Sequence, residues 1–335
     1  MDYKNALALG QILAKANPSA PTAYSWGEEK FSYADLNDTF RNELNNLYLE
    51  NPRMAFKLVE EAITDALPKK VMEQYKQFAE TKTYAQGDRP IFTQRITEFS
   101  KKRAKKFITQ VGLAGRYEVF KLDGKSYEVK TNSIGGAAQV SFEEVLDGRV
   151  TLADLMNLAM EGLDEAILKK IAEALDGFVK TLPSTNVTSV AGFQEKAMDK
   201  LLAVADAYGH STIYCTFEFA AEMIPDAGWV GLSDDLKTQH WNNGYLGNYK
   251  GHQVVILDQS FEDETNTTKV LDPQKAYIIP TGAEKPVKIA FEGSMHMKEV
   301  PSQDDWSSHI DFYQKIGVAA IATNNNICVY KNTAL

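Results

Sequence analysis

The chain has 335 residues, 44% of them apolar and 24% charged, with a formal net charge of −9. These totals exclude a globally disordered chain. They also exclude a protein that grips nucleic acid over its whole surface, which needs a basic balance. Two cysteines, Cys215 and Cys328, sit in separate apolar runs. They are too few for a disulfide framework and read as buried thiols of a reducing compartment.

The opening "MDYKNALALGQILAKA" is not net basic at its start, and Gln11 interrupts its apolar run, so it predicts an amphipathic helix and not a secretion signal. No run approaches the roughly 18 apolar residues of a membrane span. "YADLNDTFRNELNNLYLE" and "MAFKLVEEAITDAL" carry apolar residues at spacings of three and four, the helical period. Pro18, Pro21 and Pro52 punctuate this stretch, and Pro68 reads as the first turn of a further helix. Residues 1–85 thus predict helices and links with no closed core of their own.

Gly87-Asp88-Arg89-Pro90 breaks the pattern. "FTQRITEFSKKRAKKFITQVG" then predicts a helix with five basic residues between Ser100 and Lys106. No aromatic residues interleave that run as a base-stacking groove requires, and a solvated helix face or a contact with acidic neighbours accounts for it.

"RYEVFKLDGKSYEVK", residues 116–130, predicts a β-hairpin turning at Asp123-Gly124, because Asp-Gly between alternating strands suits a two-residue turn. Leu122 then faces Lys125 and Phe120 faces Tyr127. Leu122, Phe120, Tyr127 and Val129 share a largely apolar face. The Gly-rich flanks "QVGLAG" and "TNSIGGAAQ" suit a mobile attachment. A two-strand ribbon is marginal alone in water, so its apolar face needs cover, either from this chain's core or from another subunit.

A stripe from Leu152 through Met156, Leu163, Ile167, Ile171 and Phe178 to Leu182 predicts one helix over 151–182, with Thr151 and Asp154 as a capping pair and Pro183 as its stop. "AGFQEKAMDKLLAVADAYG" predicts a second helix closed by Gly209. "STIYCTF", "HQVVILDQS", "KAYIIPTG", "PVKIAFEG", "DFYQKIGVAAIATN" and "ICVYK" predict strands. Glu262–Thr268 reads as an exposed loop.

The chain has no phosphate-binding glycine loop, no dinucleotide fingerprint and no nucleophile elbow. The five histidines, His210, His240, His252, His296 and His309, form no pair with one another or with a cysteine at metal-ligand spacing. "DQSFEDETNTTKVLD" is rich in oxygen ligands but lacks the glycine of an EF-hand loop. No catalytic, cofactor or metal residue is therefore assigned. A soluble α/β enzyme would have to use carboxylates such as Asp226, Asp234 and Asp235, and no motif supports them.

This element order resembles the major capsid protein of tailed bacteriophages, the Hong Kong 97-like fold, over residues 85 to 335. "RYEVFKLDGKSYEVK" is similar to the extended E-loop, and "TLADLMNLAMEGLDEAILKKIAEALDGFVKTL" to the spine helix. "GFQEKAMDKLLAVADAYGHSTIYCTFEFAAEMIPD" is similar to the A-domain core, and "PVKIAFEGSMHMKE" with "SSHIDFYQKIGVAAIATNNNICVYK" to the long P-domain strands. The resemblance implies an α+β fold with a helical N-arm (1–85), an E-loop region with its flanks (86–145, hairpin 116–131) and a spine helix (146–185). An A-domain (186–285), P-domain strands (286–323) and a return strand (324–335) follow.

The implied function is structural. Copies form hexamers and pentamers of an icosahedral shell around double-stranded DNA, with Phe120, Leu122, Asp123, Gly124, Lys125, Tyr127 and Val129 in inter-subunit contact. A separate scaffolding protein, a portal and a decoration protein are the implied partners, with no cofactor and no membrane. The location implied is the virion, assembled in the bacterial cytoplasm. An encapsulin-like compartment shell is the alternative within the fold. Some family members cross-link an E-loop lysine to an asparagine with a glutamate assisting. Lys125 stands at the hairpin tip, but Trp306–Ala322 holds neither Asn nor Glu, so no such cross-link is expected.

Overall fold

The computed structural model describes residues 3–13, 24–26, 29–94, 125–141, 152–224, 228, 232–263, 265–280, 285–301, 307–321 and 326–335. The chain divides into two compact units. One is built from Met1–Pro90, Glu128–Leu168 and Lys288–Ala319, the other from Ile91–Tyr127, Lys169–Val287 and Ala320–Leu335. Among the described residues, no helix is long and apolar enough to cross a membrane.

In the first unit, helices α1 (Tyr3–Leu13), α2 (Tyr33–Glu50) and α3 (Pro52–Gln74) pack on one another. Leu9, Leu36, Phe40, Leu44, Leu58 and Ile63 are almost fully buried. This corrects the expectation that residues 1–85 lack a closed core. The close approach depends on Gly10, where a Cβ would lie 3.0 Å from the Phe40 ring and 3.5 Å from Ala62 Cβ. A Ser32–Asp35 capping box starts α2, and Asn51 caps α3 with Pro52 in its first turn.

Pro68 does not begin a helix; it lies inside α3. An interior proline costs about 3 kcal/mol. Leu67 and Val71, buried on either side of it, each contribute about 1.5–3 kcal/mol, so burial holds the helix continuous across the break. A two-stranded antiparallel ladder, β1 (Tyr24–Trp26) with β2 (Glu29–Phe31), precedes α2.

The same unit carries a four-stranded sheet of β3 (Ala79–Tyr84), β6 (Asn132–Ser141), β12 (Val287–Pro301) and β13 (Ser307–Ala320), in the order β3-β12-β13-β6, with β13 and β6 antiparallel. β6 pairs β13 over ten residues, from Asn132↔Ile316 to Ser141↔Ser307. The Gly-rich flank "TNSIGGAAQ" is therefore a paired strand and not a mobile attachment. Its glycines have a packing reason. Phe312 lies over Gly136, where a Cβ would meet the ring at 3.0 Å, and at Gly135 a Cβ would fall 2.0 Å from the Phe312 carbonyl oxygen. Side chains of α3 serve the backbone of β12: Met295 N–H donates to Thr64 Oγ1 at 3.0 Å and Met297 N–H to Glu60 Oε1 at 2.5 Å.

The long helix α4 (Leu152–Val179) belongs to the first unit up to Leu168 and to the second beyond it. Its buried seam is Met156, Ala159, Leu163, Ile167, Ile171, Leu175 and Phe178, spaced three or four apart as a helical face requires. The helix ends at Val179, three residues short of the predicted Leu182. Asp154, expected as a capping residue, accepts from Arg41 at 2.9 Å; Thr151 lies outside the described residues.

The second unit is built on a six-stranded sheet. Its strands are β7 (Val187–Val190), β8 (Ser211–Cys215), β9 (Asn248–Tyr249), β10 (His252–Ile256), β11 (Lys275–Pro280) and β14 (Cys328–Asn332). They lie in the order β7-β14-β11-β8-β10-β9. β8–β10 and β14–β7 run parallel, while β11 is antiparallel to both its neighbours. Helix α5 (Glu195–Asp206) buries Met198, Leu201, Leu202 and Ala205 against this sheet. Helices α6 (Phe217–Ala221) and α7 (Asp234–Asn243) complete the described helices.

β9 and β10 turn through Lys250 (φ 48°) and Gly251 (φ 90°), two left-handed residues as a type I′ turn demands. The strained Lys250 is held by Asp199 and Glu195, each 2.6 Å from its ammonium. Cys215 and Cys328 are buried on β8 and β14, on opposite sides of β11, and burial pushes both thiols up to about 12. Two strand spacings put them roughly 10 Å apart, beyond disulfide reach.

Candidate functional site

The excursion that resembles the E-loop leaves the first unit after Pro90 and returns at Glu128. Between these points β4 (Ile91–Gln94) pairs β5 (Lys125–Glu128) in a two-stranded ladder. This corrects the helix predicted from Phe92, whose first residues are extended. Residues 95–124 lie outside the described residues, so the turn at Asp123-Gly124, and Phe120 and Leu122, are not placed. Lys125 and Tyr127 lie on β5, with Tyr127 half-buried.

The base of this excursion is built inside the first unit. Val129 N–H donates to the Pro90 carbonyl at 2.9 Å, joining the outgoing and returning strands. Val129, expected on the inter-subunit face, is 1% exposed and turned into its own chain. There it meets Gly317 of β13: a Cβ on Gly317 would lie 3.0 Å from Val129 Cγ1 and 2.6 Å from the Lys130 carbonyl oxygen. Val129 is therefore a home anchor and leaves Phe120, Leu122 and Tyr127 as the candidate contact face.

One carboxylate gathers both ends. Glu292 of β12 accepts from Thr131 Oγ1 after the return strand, from Gly87 N–H before the outgoing strand at 3.1 Å, and from the Lys315 ammonium of β13 at 3.0 Å. The Thr131 hydroxyl first, then the Gly87 amide and Lys315, hold its carboxyl down to about 2, because each contact favours the ionised form. Gly293 beside it takes φ +69° and admits the Gln86 side chain, which a Cβ would meet at 3.2 Å.

Four residues before Glu292, and on the same face of β12, Lys288 is 1% exposed with its ammonium 2.5 Å from Glu80 of β3. Burial pushes Glu80 up, but hydrogen bonds from Lys288 and Lys82 outweigh it and leave the carboxyl below its ordinary value. The sequence reading missed both charges. The signal was present: two opposite charges four apart in "VKIAFEG", otherwise apolar, each require a buried partner.

The weaker candidates are dispersed. Asp234 and Asp235 occupy the first turn of α7 behind the Ser233 cap, and Asp234 pairs with Lys237 at 3.1 Å. That is the role of acidic residues at a helix start, and Asp226 lies outside the described residues. The loop at Glu262–Thr268 is closed by Asp263, which accepts from Thr267 and Thr268 amides at 3.0 and 2.7 Å. The histidines behave differently from their spacing. His210 and His252 stack with ring centroids 4.8 Å apart, because β8 and β10 are parallel neighbours.

Comparison with known proteins is consistent across this architecture. A family model described as "SPbeta prophage-derived putative capsid protein YonB" matches residues 33–330. No curated protein matches. Among solved structures, the capsid of a native GTA particle aligns at 11% identity over 77% of this chain and 89% of that chain, with TM-score 0.52. The head of Helicobacter pylori bacteriophage KHP40 aligns at 11% identity over 78% and 92%, with TM-score 0.50. The acid-stable capsid of Helicobacter pylori bacteriophage KHP30 aligns at 10% identity over 77% and 90%, with TM-score 0.50. With the family model covering most of the chain and the fold shared with these heads, the chain belongs to this prophage-derived capsid family and is a major capsid structural protein of Hong Kong 97-like fold.

Proposed function

We propose that copies of this chain close into hexamers and pentamers of an icosahedral phage head around double-stranded DNA, with residues 116–127 of each copy laid over its neighbour and Val129 and Thr131 held at home. The observation that carries the reading is the clamped base: Glu292, Thr131, Gly87 and Lys315 fix both ends of an excursion that leaves the sheet. In this reading residues 1–85 form the N-arm, 146–185 the spine and 186–285 the A-domain, and 286–323 supply the P-domain strands. A separate scaffolding protein guides assembly in the bacterial cytoplasm. The prophage origin of the family favours a phage head over an encapsulin-type compartment.

The test is the double change Phe120→Asp with Tyr127→Asp, read by negative-stain microscopy and light scattering. The expected result is subunits with native circular dichroism that stay unassembled. Particles at wild-type yield overturn the cross-subunit role. Wild-type particles, boiled in detergent, are expected to run as single chains on a gel.

A further inference from the structure

Asp206 and His210 stand four residues apart and His252 lies 42 residues further along, yet the three offer ligand atoms all within 4.8 Å of one another. Asp206 is the last residue of α5, His210 stands just before β8, and His252 opens β10. His252 is buried, while Asp206 and His210 reach solvent. We propose that this cluster binds a divalent transition-metal cation of the zinc type, with solvent completing its coordination.

Donor accounting carries the argument. The Ser211 hydroxyl donates its one proton to Asp206 Oδ1 at 2.8 Å, and the Ser211 amide donates to the same oxygen at 3.1 Å. His252 Nδ1 lies 3.1 Å from that hydroxyl oxygen and 3.1 Å from the Ser211 carbonyl oxygen. Both neighbours can then only accept, so Nδ1 carries the ring proton. The remaining nitrogen, Nε2, points its lone pair at Asp206 Oδ2, 3.4 Å away. Two electron pairs facing one another at this distance repel, and a metal ion placed between them removes that repulsion, as a second ring proton would. A tetrahedral site with bonds of about 2.0–2.1 Å separates its ligand atoms by about 3.3 Å; the His252–Asp206 pair sits near that spacing, and His210, stacked on His252, would turn to bring its nitrogen to the same ion. The backbone carbonyl behind Nδ1 is the usual outer partner of a metal-bound imidazole, fixing its tautomer and orientation.

Two further facts agree. α5 ends on Asp206 with no basic residue in its last turn, so the negative end of the helix and a carboxylate coincide, an arrangement that a bound cation relieves. Two imidazoles with one carboxylate select zinc, nickel, cobalt or copper over magnesium and calcium, which prefer oxygen.

The experiment titrates the purified full-length chain with Co²⁺ and follows its visible ligand-field bands, then displaces it with Zn²⁺ in a calorimeter. One equivalent per chain is expected, with no competition from excess Mg²⁺ or Ca²⁺. The exposed His210→Ala should weaken binding at least about tenfold without unfolding the chain, and Asp206→Asn by a similar factor. Zn²⁺ should raise the melting temperature of the wild type and not of His210→Ala. Absence of binding, equal binding by His210→Ala, or displacement by Mg²⁺ would each overturn the site.

Discussion

Replacing glycine with alanine adds the same methyl group everywhere, yet this structure assigns it opposite signs at two places. At Gly317 the new Cβ would stand 2.6 Å from the Lys130 carbonyl oxygen, 3.1 Å from its carbon and 3.0 Å from Val129 Cγ1. Two of these neighbours are backbone and cannot rotate aside, so β13 and the returning strand must separate by a few tenths of an ångström. Overpacking of this kind costs about 1–3 kcal/mol. At roughly 2–4 °C per kcal/mol for a larger domain, the melting temperature falls by roughly 2–12 °C.

Gly162 and Gly177 sit exposed on α4, and a Cβ added at either would meet nothing within 4 Å. Alanine there contributes about 0.5–1 kcal/mol each by removing backbone freedom from the unfolded chain. The two sites lie about 22 Å apart along the helix, so their effects add to about 1–2 kcal/mol. Urea unfolding of dilute, unassembled subunits, followed by circular dichroism, measures both. A Gly317→Ala subunit as stable as the wild type refutes the contact between β13 and the base of the excursion. A destabilised Gly162→Ala/Gly177→Ala pair refutes the open helix face.

Two charge tests accompany it. Glu292 has a folded-state carboxyl held near 2, below the ordinary value of about 4.3. Its contribution is fully present above about pH 4.3 and is lost as pH falls toward 2. Glu292→Gln should therefore be less stable than wild type at pH 7, with the gap narrowing from about pH 4.5 downward; a gap independent of pH would remove Glu292 as the clamp. The Lys288–Glu80 pair should respond asymmetrically to urea. Glu80→Ala strips the buried ammonium of that carboxylate at a cost of about 3 kcal/mol, whereas Lys288→Met replaces the charge with an apolar stem and should stay within about 1 kcal/mol of wild type. Equal losses in the two variants contradict the buried placement.

The long helix was legible because its apolar seam repeats at one period along its whole length. β8, β10, β11 and β14 were legible because short apolar runs bounded by turns have few other uses. The order of these elements was enough for the capsid resemblance. What escaped was pairing between distant positions. Gly10 and Phe40 signal a helix crossing only when seen together, and so do Gly136 and Phe312 across two strands. Without those partners, the first reads as a weak helix residue and the second as a flexible flank. Pro68 misled for a related reason, since local proline chemistry predicts a boundary that the burial of Leu67 and Val71 overrides. His210 and His252 needed the parallel pairing of β8 with β10, and parallel register leaves no trace in sequence spacing.

The clamp at Glu292 also bears on how such a subunit tolerates new cargo. Its contacts with Gly87, Thr131 and Lys315 all lie outside residues 95–124, so these anchor points stay in place whatever length of chain runs between them. For flexible chain, doubling that length costs only about 0.6 kcal/mol in closure entropy. A foreign peptide spliced between the anchors would thus be nearly invisible to the folding of the subunit. Its effect would fall on assembly, which makes the excursion a cassette for display or for retuning contacts without redesigning the body that carries it.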